Sequence, residues 1–411
     1  MMVLDRRILC ITVGAALALF LSAACLLASP PVAGAGGWKV VDTWGQHGSA
    51  PGEFRTPKGI AVDDEGFVYV VDTFNDRIQK FTAAGRFVIA WGRSGDGPGE
   101  FRLPGRMAVG PDRLLYVTDC DNHRVEVFTR GGGFVRCWGS RGRAQGQFLS
   151  PRGIGLDARG RVYVSEEGNN RVQVFTAGGR FLRAWGRRGA GRGQFSFPKG
   201  LSCGPDGRIY VADSYNDRIQ VFTAAGRWLS TFGSRGRATG QFDRPRAAWP
   251  DAQGRIFVAD TYNHRIQEFT HDFLFVRQWG CYGAAPGQFA GPRALATAPD
   301  GTLYAVDSAN QRVQRFAPDL SADTTPPLTT CSAPKTWRPA PVLATLSAAD
   351  DVGSVTATYW RLGSEAPFTL YARPIVADLP GQTLLEFFSV DDAGNQEDLR
   401  SRWLYVDFDD N

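Results

Sequence analysis

The chain contains, from Phe54 to Asp72, the stretch FRTPKGIAVDDEGFVYVVD, which continues as TFNDRIQKFTAAGRFVIAWG up to Gly92. Short runs rich in β-branched and aromatic residues alternate here with turn residues such as Asp, Gly and Ala. The runs lie at residues 59–63, 67–71, 77–82 and 86–91. Because each run has the length of a strand and none has a helical period, the pattern predicts one sheet of four antiparallel strands.

This unit recurs six times at a constant step of 47 residues, without insertion or deletion. A row of glycines shows the step: Gly45, Gly92, Gly139, Gly186, Gly233 and Gly280. A row of arginines shows it again: Arg77, Arg124, Arg171, Arg218, Arg265 and Arg312. A fixed period of this length is typical of stacked repeats, because one sheet cannot cover both of its own faces. We therefore predict an all-β fold whose sheets are arranged radially, as the blades of a propeller.

The two ends of the repeat region indicate how the ring closes. The last unit continues through Phe316 and then lacks a fourth strand. Residues 38–45, WKVVDTWG, match a fourth strand but have no unit before them. We expect this N-terminal strand to complete the last sheet, which gives six blades and removes a free edge.

Aromatic residues also follow the step, in rows that begin at Trp44, Tyr69 and Phe81. Such rows could in principle offer a stacking surface for sugars or bases. A residue that is repeated in every unit serves what every unit must do, which is to pack against its neighbours. We expect these rows to lie between the blades.

The repeated pattern Pro-x-Gly-Ile-Ala-Val-Asp, followed by Val-Tyr-Val-x-Asp-x-x-Asn-x-Arg-Ile-Gln-x-Phe, resembles NHL repeats. The segments 122–124 and 263–265, both Asn-His-Arg, carry the central letters of the family pattern most closely. The resemblance covers residues 38–318 and implies a six-bladed NHL β-propeller. Two departures are local: Glu166 replaces the usual Asp, and Gly105-Arg106 replaces the usual x-Gly.

The resemblance implies a protein that serves as a binding platform, and it implies an enzyme less strongly. NHL propellers are used mainly as binding platforms. Some in animals bind RNA or proteins beside ubiquitin-ligase modules, and a few related propellers are lyases or hydrolases that use bound metal. This chain shows no RING-like Cys/His cluster, so a ligase role is not indicated. The three function classes that stay open are a binding protein, a metal-dependent lyase or hydrolase, and a nucleic-acid-binding protein.

The N-terminal residues 1–35 are typical of a secretory signal or a signal anchor. Arg6 and Arg7 precede an uncharged, mostly apolar run at residues 8–28, and Ala33-Gly34-Ala35 fits a small-x-small cleavage site. The run is long enough to span a bilayer if it is not removed. Both interpretations predict an extracytoplasmic protein, secreted or membrane-anchored, that touches the membrane only through this segment. Export also argues against a nucleic-acid partner.

The C-terminal residues differ from the repeats in charge and in pattern. Residues 38–318 hold 38 Lys and Arg against 26 Asp and Glu, whereas residues 319–411 hold 6 against 14. Because these two segments have net charges of opposite sign, we predict that they form two domains. The segment 319–328, with Thr-Thr-Pro-Pro, reads as a linker, and residues 329–411 resemble immunoglobulin-like modules of bacterial surface proteins, a small β-sandwich.

Candidate binding residues lie where the innermost strand of each blade begins. This position is occupied by Lys58, Gly105, Arg152, Lys199, Arg246 and Arg293, and Arg106 adjoins the glycine. The predicted ligand-binding residues are therefore Lys58, Arg106, Arg152, Lys199, Arg246 and Arg293. The loops that join the blades add Arg141, Arg143, Arg187, Arg188, Arg192, Arg235 and Arg237. A ring of cations around one opening attracts anions, although basic residues at a repeat position can also be merely solvated.

No residue set predicts catalysis, a metal or a cofactor. The Asp72 and Arg77 pair recurs in every unit, which favours a loop clasp over six identical active sites. His123 and His264 lie three units apart, on opposite blades, and no Ser-His-Asp order or phosphate loop occurs. Cys120 and Cys137 share one unit, and the sequence leaves open whether they form a bridge.

The sequence thus predicts an extracytoplasmic binding or scaffold protein. Its expected partner is an anionic cell-envelope polymer or a protein, bound on the loop face around the central opening. A metal-dependent enzyme would instead place acidic or His ligands in the central tunnel and lose activity with chelator. Nucleic-acid binding, as in animal relatives, is the second alternative.

Overall fold

The computed structural model divides into two units, one formed by residues 40–317 and the other by the residues from 318 onward together with 37–39. The residues that it describes are 37–319, 328–333, 338–339, 342–349, 355–364, 366, 368–371, 374–377, 381–391 and 396–407. The predicted signal or anchor, residues 1–35, and most of the predicted linker lie outside these ranges. Within the described ranges there is no helix with the length and apolar character that crossing a membrane requires.

The repeat region forms six four-stranded antiparallel sheets, which we number as blades 1 to 6 in chain order. The first strand of the chain is β1 (Trp38–Trp44). Blade 1 contains β2 (Gly59–Val62), β3 (Val68–Asp72), β4 (Arg77–Phe81) and β5 (Phe87–Trp91). Blade 2 contains β6 (Pro104–Val109), β7 (Leu115–Asp119), β8 (Arg124–Phe128) and β9 (Phe134–Trp138). Blade 3 contains β10 (Pro151–Leu156), β11 (Val162–Glu166), β12 (Arg171–Phe175) and β13 (Phe181–Trp185).

The second half of the ring repeats this arrangement. Blade 4 contains β14 (Leu201–Cys203), β15 (Ile209–Asp213), β16 (Arg218–Phe222) and β17 (Trp228–Phe232). Blade 5 contains β18 (Ala247–Pro250), β19 (Ile256–Asp260), β20 (Arg265–Phe269) and β21 (Phe275–Trp279). Blade 6 contains β22 (Pro292–Thr297), β23 (Leu303–Asp307) and β24 (Arg312–Pro318). Short 3-10 turns at Thr73–Asn75, Ser214–Asn216 and Thr261–Asn263 follow the second strands of blades 1, 4 and 5.

The N-terminal strand closes the ring, as the sequence predicts. Blade 6 has the strand order β1-β24-β23-β22, so β1 is its outermost strand although it precedes blade 1 in the chain. The innermost strands contact one another in the cyclic order β2, β6, β10, β14, β18, β22 and back to β2. The six-bladed propeller is therefore confirmed.

The path of the chain gives the ring two distinct faces. Each innermost strand begins on one face, and the second strand returns to it. The loops between second and third strands and the loops that join blades therefore lie together on this face, which we call the mouth face. The short turns within the hairpins, such as 82–86 and 176–180, lie on the opposite face.

Apolar side chains hold neighbouring blades together. Between blades 6 and 1, the buried side chains Phe54, Val70, Phe81 and Tyr304 form one cluster, against which Trp44 packs. Similar clusters join blades 1 and 2, 2 and 3, 3 and 4, and 4 and 5. The aromatic rows thus lie between blades, which confirms the packing interpretation.

The recurring glycine permits a close contact at the end of each outer strand. Gly92 has φ +95°, and a Cβ atom there would lie 2.7 Å from the ring of Phe101. The other glycines of the row share positive φ values, from +87° to +108°. Any larger residue would be strained and would displace the buried ring.

The predicted clasp between the repeated Asp and Arg is also confirmed. In blade 1 the Oδ2 atom of Asp72 accepts hydrogen bonds from Nδ2 of Asn75 and Nε of Arg77, both at 2.8 Å. The guanidinium of Arg77 also donates to the backbone oxygens of Ser49, Ala50 and Glu53. Because the same bonds recur in every blade, with Glu166 replacing Asp in blade 3, the mouth-face loops are tied to one another.

The described C-terminal strands form a separate all-β unit. They are β25 (Leu328–Cys331), β26 (Arg338–Pro339), β27 (Val342–Ala344), β28 (Leu346–Ala349), β29 (Val355–Leu362), β30 (Thr369–Leu370), β31 (Ile375–Ala377), β32 (Gly381–Asp391) and β33 (Arg400–Asp407). One sheet has the order β26-β33-β32-β29-β30, and two pairs, β25-β28 and β27-β31, accompany it. Their apolar side chains, among them Leu385, Phe387 and Leu404, share one cluster. The immunoglobulin-like assignment of this unit stays a prediction.

Ring closure can be tested at Trp44, whose ring contacts Phe81 of blade 1 and Tyr304 of blade 6, at centroid distances of 6.1 and 5.9 Å. We expect Trp44→Ala to lower the free energy of unfolding by about 3 kcal/mol, because it leaves a cavity between two blades. Guanidinium denaturation measures this change. The control Val41→Ala, on the same strand at 46% exposure, should change stability by less than about 0.5 kcal/mol. Equal effects of the two substitutions would contradict the closure.

Candidate functional site

All six predicted binding residues line one cavity on the axis of the propeller. The cavity has a volume of about 310 Å³. Its lining consists of Thr56, Lys58, Phe74, Gly105, Arg106, Arg152, Lys199, Arg246 and Arg293. We call this cavity the mouth. Its position follows from the closed ring, because one innermost strand of each blade begins beside the axis.

Arg106 differs from the other five cations because its side chain crosses the axis. It stands on blade 2, where the equivalent residues of other blades are Gly or Ala. Its Nη2 atom donates hydrogen bonds to the backbone oxygen of Arg246, at 2.6 Å, and to that of Arg293. These acceptors belong to blades 5 and 6, on the far side of the ring. The tunnel is therefore spanned by one guanidinium, which contributes to the lining of the mouth.

Glu167 partly neutralises one side of the mouth. Its carboxylate accepts a hydrogen bond from Nε of Arg152 at 2.6 Å and another from Nζ of Lys199. Burial raises the pKa of Glu167, but the nearby Arg152 and Lys199 outweigh it, and the net pKa is lowered. The cations of blades 3 and 4 are thus ion-paired.

The cations of blades 1, 2, 5 and 6 have no such partner among the described residues. Within the described ranges, no carboxylate oxygen lies within 4.0 Å of a side-chain nitrogen of Lys58, Arg106, Arg246 or Arg293. Burial and the neighbouring cations lower the pKa of Lys58 to about 8, that of Arg106 to about 9 and that of Arg293 to about 10. Burial is the larger cause of these lowered pKa values, and repulsion between the neighbouring cations adds to it; a bound anion would favour the charged forms.

Aromatic rings flank the unpaired side of the mouth. Nζ of Lys58 lies 4.9 Å from the ring centroid of Phe74, and the guanidinium carbon of Arg246 lies 5.7 Å from that of Tyr262. Phe74 and Tyr262 are 48% and 43% exposed. At the same repeat position, blades 2, 3 and 6 carry Asp, Gly and Ala. The mouth therefore has an aromatic and cationic side and an ion-paired side.

The other residues singled out from the sequence lie away from the axis. The joining-loop arginines are exposed on the mouth face, and Arg143 and Arg188 line a second cavity of about 410 Å³ with residues 168–171. Nδ1 of His123 accepts a hydrogen bond from the backbone nitrogen of Ser150, and Nδ1 of His264 accepts one from that of Gly291. These histidines support loops in their own parts of the ring and do not converge. Cys120 and Cys137 are free thiols and form no bridge.

A model of the NHL repeat matches five segments of the chain, residues 54–81, 101–128, 148–175, 195–222 and 251–269. The segments fall in blades 1 to 5, and the four complete ones run from the buried Phe that precedes a blade to the Phe that ends its third strand. The chain is an NHL-repeat β-propeller. No curated protein sequence matches it.

Solved structures share the fold of this NHL propeller at low sequence identity. A protein of unknown function from Bacteroides thetaiotaomicron is 16% identical, with a TM-score of 0.55 over 68% of this chain and 76% of that chain. An auxiliary nutrient binding protein from the same organism is 13% identical, with a TM-score of 0.50 over 65% and 70%. A gluconolactonase from Xanthomonas campestris is 12% identical, with a TM-score of 0.50 over 70% and 100%. These likenesses show the fold alone.

Sequence reasoning missed several residues of the NHL propeller's mouth face. Glu167 was not singled out, although the other units carry Thr, Cys or Ser at its position. Tyr215, Arg244 and Tyr262 were also missed, and each lies where some units have small or unrelated residues. These residues could have been found by comparing equivalent positions of the six units and noting where one unit differs from the others. A residue that most units lack does not serve the fold that all units share.

The ion-paired side of the mouth can be tested with Glu167→Gln. We expect the free energy of unfolding to fall by about 2 kcal/mol, because Arg152 and Lys199 lose their half-buried counter-charge. Inorganic phosphate should restore part of this loss by binding the folded state. Thermal and guanidinium unfolding measure both effects. Asp96→Asn, at a side chain that is 78% exposed, is the control, and an equally small change in both variants would refute the pairing.

Proposed function

We propose that this NHL propeller is a binding protein that takes an anionic group of its ligand into the mouth. The observation that carries the proposal is a set of axial cations that have no carboxylate partner in the part of the chain that the structure describes: Lys58, Arg106, Arg246 and Arg293. Their charges converge on one cavity of about 310 Å³, where partial burial strengthens electrostatic attraction. Arginine also binds carboxylate and phosphate through two parallel hydrogen bonds.

The chemistry of the mouth favours binding over a metal-dependent reaction. Six cations and one carboxylate give a positive potential that repels divalent cations. In the part of the chain that the structure describes, no three His, Cys, Asp or Glu side chains are grouped so that they could hold a metal ion.

The partner and the location belong to the same proposal. An anionic cell-envelope polymer supplies the required charge, and a protein partner with an acidic segment would supply it too. The N-terminal residues 1–35, with their apolar run at 8–28, support an extracytoplasmic location, secreted or membrane-anchored. The C-terminal unit then serves as a spacer or as a second contact.

The proposal predicts salt-dependent binding that depends on the unpaired cations. Dextran sulfate serves as a probe polyanion, and titration at several salt concentrations gives the slope of log K against log salt. We expect the double variant Arg246→Ala/Arg293→Ala to bind at least about tenfold more weakly at low salt. We also expect its slope to fall by about 1.5, because fewer counterions are released.

The matched control is Arg86→Ala/Arg180→Ala, which removes two exposed arginines from the opposite face. It changes the net charge by the same amount and should leave both affinity and slope nearly unchanged. Binding that both double variants weaken equally would show general charge attraction and would contradict a site in the mouth.

Binding should also weaken as pH rises through the pKa of Lys58, which is about 8. Below this pH the ammonium is charged and attracts the anion, and above it that attraction is lost. We expect the affinity for dextran sulfate to fall about threefold from pH 7 to pH 8.5. Lys58→Arg keeps its charge over this range and should remove most of the decrease. An equal decrease in the variant would mean that Lys58 does not contact the ligand.

A further inference from the structure

Blade 2 departs from the repeat at a buried position of its third strand. Glu126 lies where the other five blades carry a glutamine: Gln79, Gln173, Gln220, Gln267 and Gln314. The two side chains have nearly the same shape, but glutamine has an amide N–H2 donor where an ionised glutamate has a second acceptor oxygen. Because the side chain of Glu126 is fully buried, its protonation state decides whether blade 2 can make the hydrogen bonds of the other blades.

In the other blades this glutamine ties a joining loop to the Asp and Arg clasp. In blade 4, Nε2 of Gln220 donates to the backbone oxygen of Gln194 at 2.6 Å and to Oδ2 of Asp213 at 3.1 Å. Its Oε1 atom accepts a hydrogen bond from the backbone nitrogen of Gly193 at 2.9 Å. Blades 1, 3, 5 and 6 make the equivalent three bonds, with a glutamate as the carboxylate partner in blade 3.

In blade 2 the two bonds that need a donor are missing. Oε1 of Glu126 accepts a hydrogen bond from the backbone nitrogen of Gly99 at 3.3 Å and lies 2.9 Å from Nη2 of Arg124. Oε2, which takes the place of the glutamine nitrogen, is buried and has no hydrogen-bond partner among the described residues. The equivalent partners here, the backbone oxygen of Glu100 and Oδ2 of Asp119, are both acceptors. A proton on Oε2 supplies the missing donor.

The balance of buried charge also requires this proton. The buried carboxyls of Asp119 and Glu126 face one guanidinium, with Nε of Arg124 at 3.0 Å from the first and Nη2 at 2.9 Å from the second. Glu100 in the joining loop adds negative charge, and Cys137 pairs with Glu126 in the register of β8 and β9. Burial raises the pKa of Glu126 to about 7, against the opposing effect of Arg124. Two buried carboxylates and one cation are balanced when the two acids share one proton.

We propose that Glu126 is a pH-sensitive switch that controls residues 93–101, the loop that joins blades 1 and 2 on the mouth face. In the protonated state its O–H donates to the backbone oxygen of Glu100 or to Asp119, and the loop is held as in the other blades. In the ionised state this bond is lost and the two carboxylates repel each other, so this loop alone is loosened. The inference does not depend on the proposed anion site.

Two opposite substitutions test the switch. Glu126→Gln gives blade 2 the residue of the other blades and removes the titrating group without changing its size. Gln220→Glu is the matched reverse variant, because blade 4 has the same clasp, formed by Asp213 and Arg218. Asp121→Asn, which removes an exposed negative charge from blade 2, is the control for general charge.

The full chain is measured in two ways at a series of pH values. Hydrogen–deuterium exchange, followed by mass spectrometry, reports on the loop at residues 93–101. Each rate is compared with that of Glu126→Gln at the same pH, so that the ordinary pH dependence of exchange cancels. Unfolding temperatures report on the stability of the folded ring.

We expect wild type and Glu126→Gln to exchange this loop at equal rates at pH 5, and the wild type to exchange it about tenfold faster at pH 8.5. The folded protein binds this proton more tightly than the unfolded chain. Its contribution to stability is therefore complete below pH 4.5 and is lost as the pH rises to about 7. Glu126→Gln should accordingly raise the unfolding temperature by about 1 °C or less at pH 5 and by about 4 °C at pH 8.5.

The control variants have equally definite expected results. Gln220→Glu should create the same pH dependence in residues 187–195, the equivalent loop between blades 3 and 4, and leave residues 93–101 unchanged. Asp121→Asn should follow the wild type at every pH. A difference between wild type and Glu126→Gln that is the same at every pH would show a packing role and overturn the switch. No difference at any pH, an equal effect of Asp121→Asn, or a Gln220→Glu variant without pH dependence would also overturn it.

Discussion

The pairing of β1 with β24 is the interaction on which the rest of the structure depends. It joins the start of the repeat region to its end and fixes the six sheets in a closed ring. Because every unit has the same length, closure brings the starts of six innermost strands to the same level around the axis. A basic residue at or beside that point in every unit then becomes a ring of charge. The mouth therefore results from two features together: the closed ring and the equal length of its six units.

The repeated residues and the residues that break the repeat have different tasks. Gly92 and its equivalents, the buried aromatic rows, and the Asp and Arg clasp occur in every blade and are fully engaged in packing or in loop hydrogen bonds. Arg106, Glu167 and Arg244 each occur once. Arg106 spans the axis, Glu167 neutralises the side formed by blades 3 and 4, and Arg244 lies between two tyrosines at blades 4 and 5. These single residues make one side of a symmetric ring differ from the other, and under the proposed function this difference gives the ligand one preferred side.

The sequence predicts the fold well because its 47-residue period indicates that equivalent sheets pack against one another. The pattern of a single strand could not indicate this long-range packing. It also predicts which cations share the mouth, since Lys58 and Arg293 occupy equivalent positions and closure makes these positions neighbours. It does not predict that Arg106 reaches the backbone of blades 5 and 6, because the direction of a long side chain depends on the space that the opposite glycine and alanine residues leave. The pairing of Glu167 with Arg152 and Lys199 likewise joins different blades, and the sequence carries no sign of it except departure from the repeat.

The central claim is that the axial cations hold an anionic group of the ligand. A crystal structure of the protein with a short oligogalacturonate tests this claim most directly. The account predicts a carboxylate in the mouth within hydrogen-bonding distance of Arg246 or Arg293. An oligosaccharide bound on the opposite face or on the outer strands, with the mouth holding only water, would contradict it.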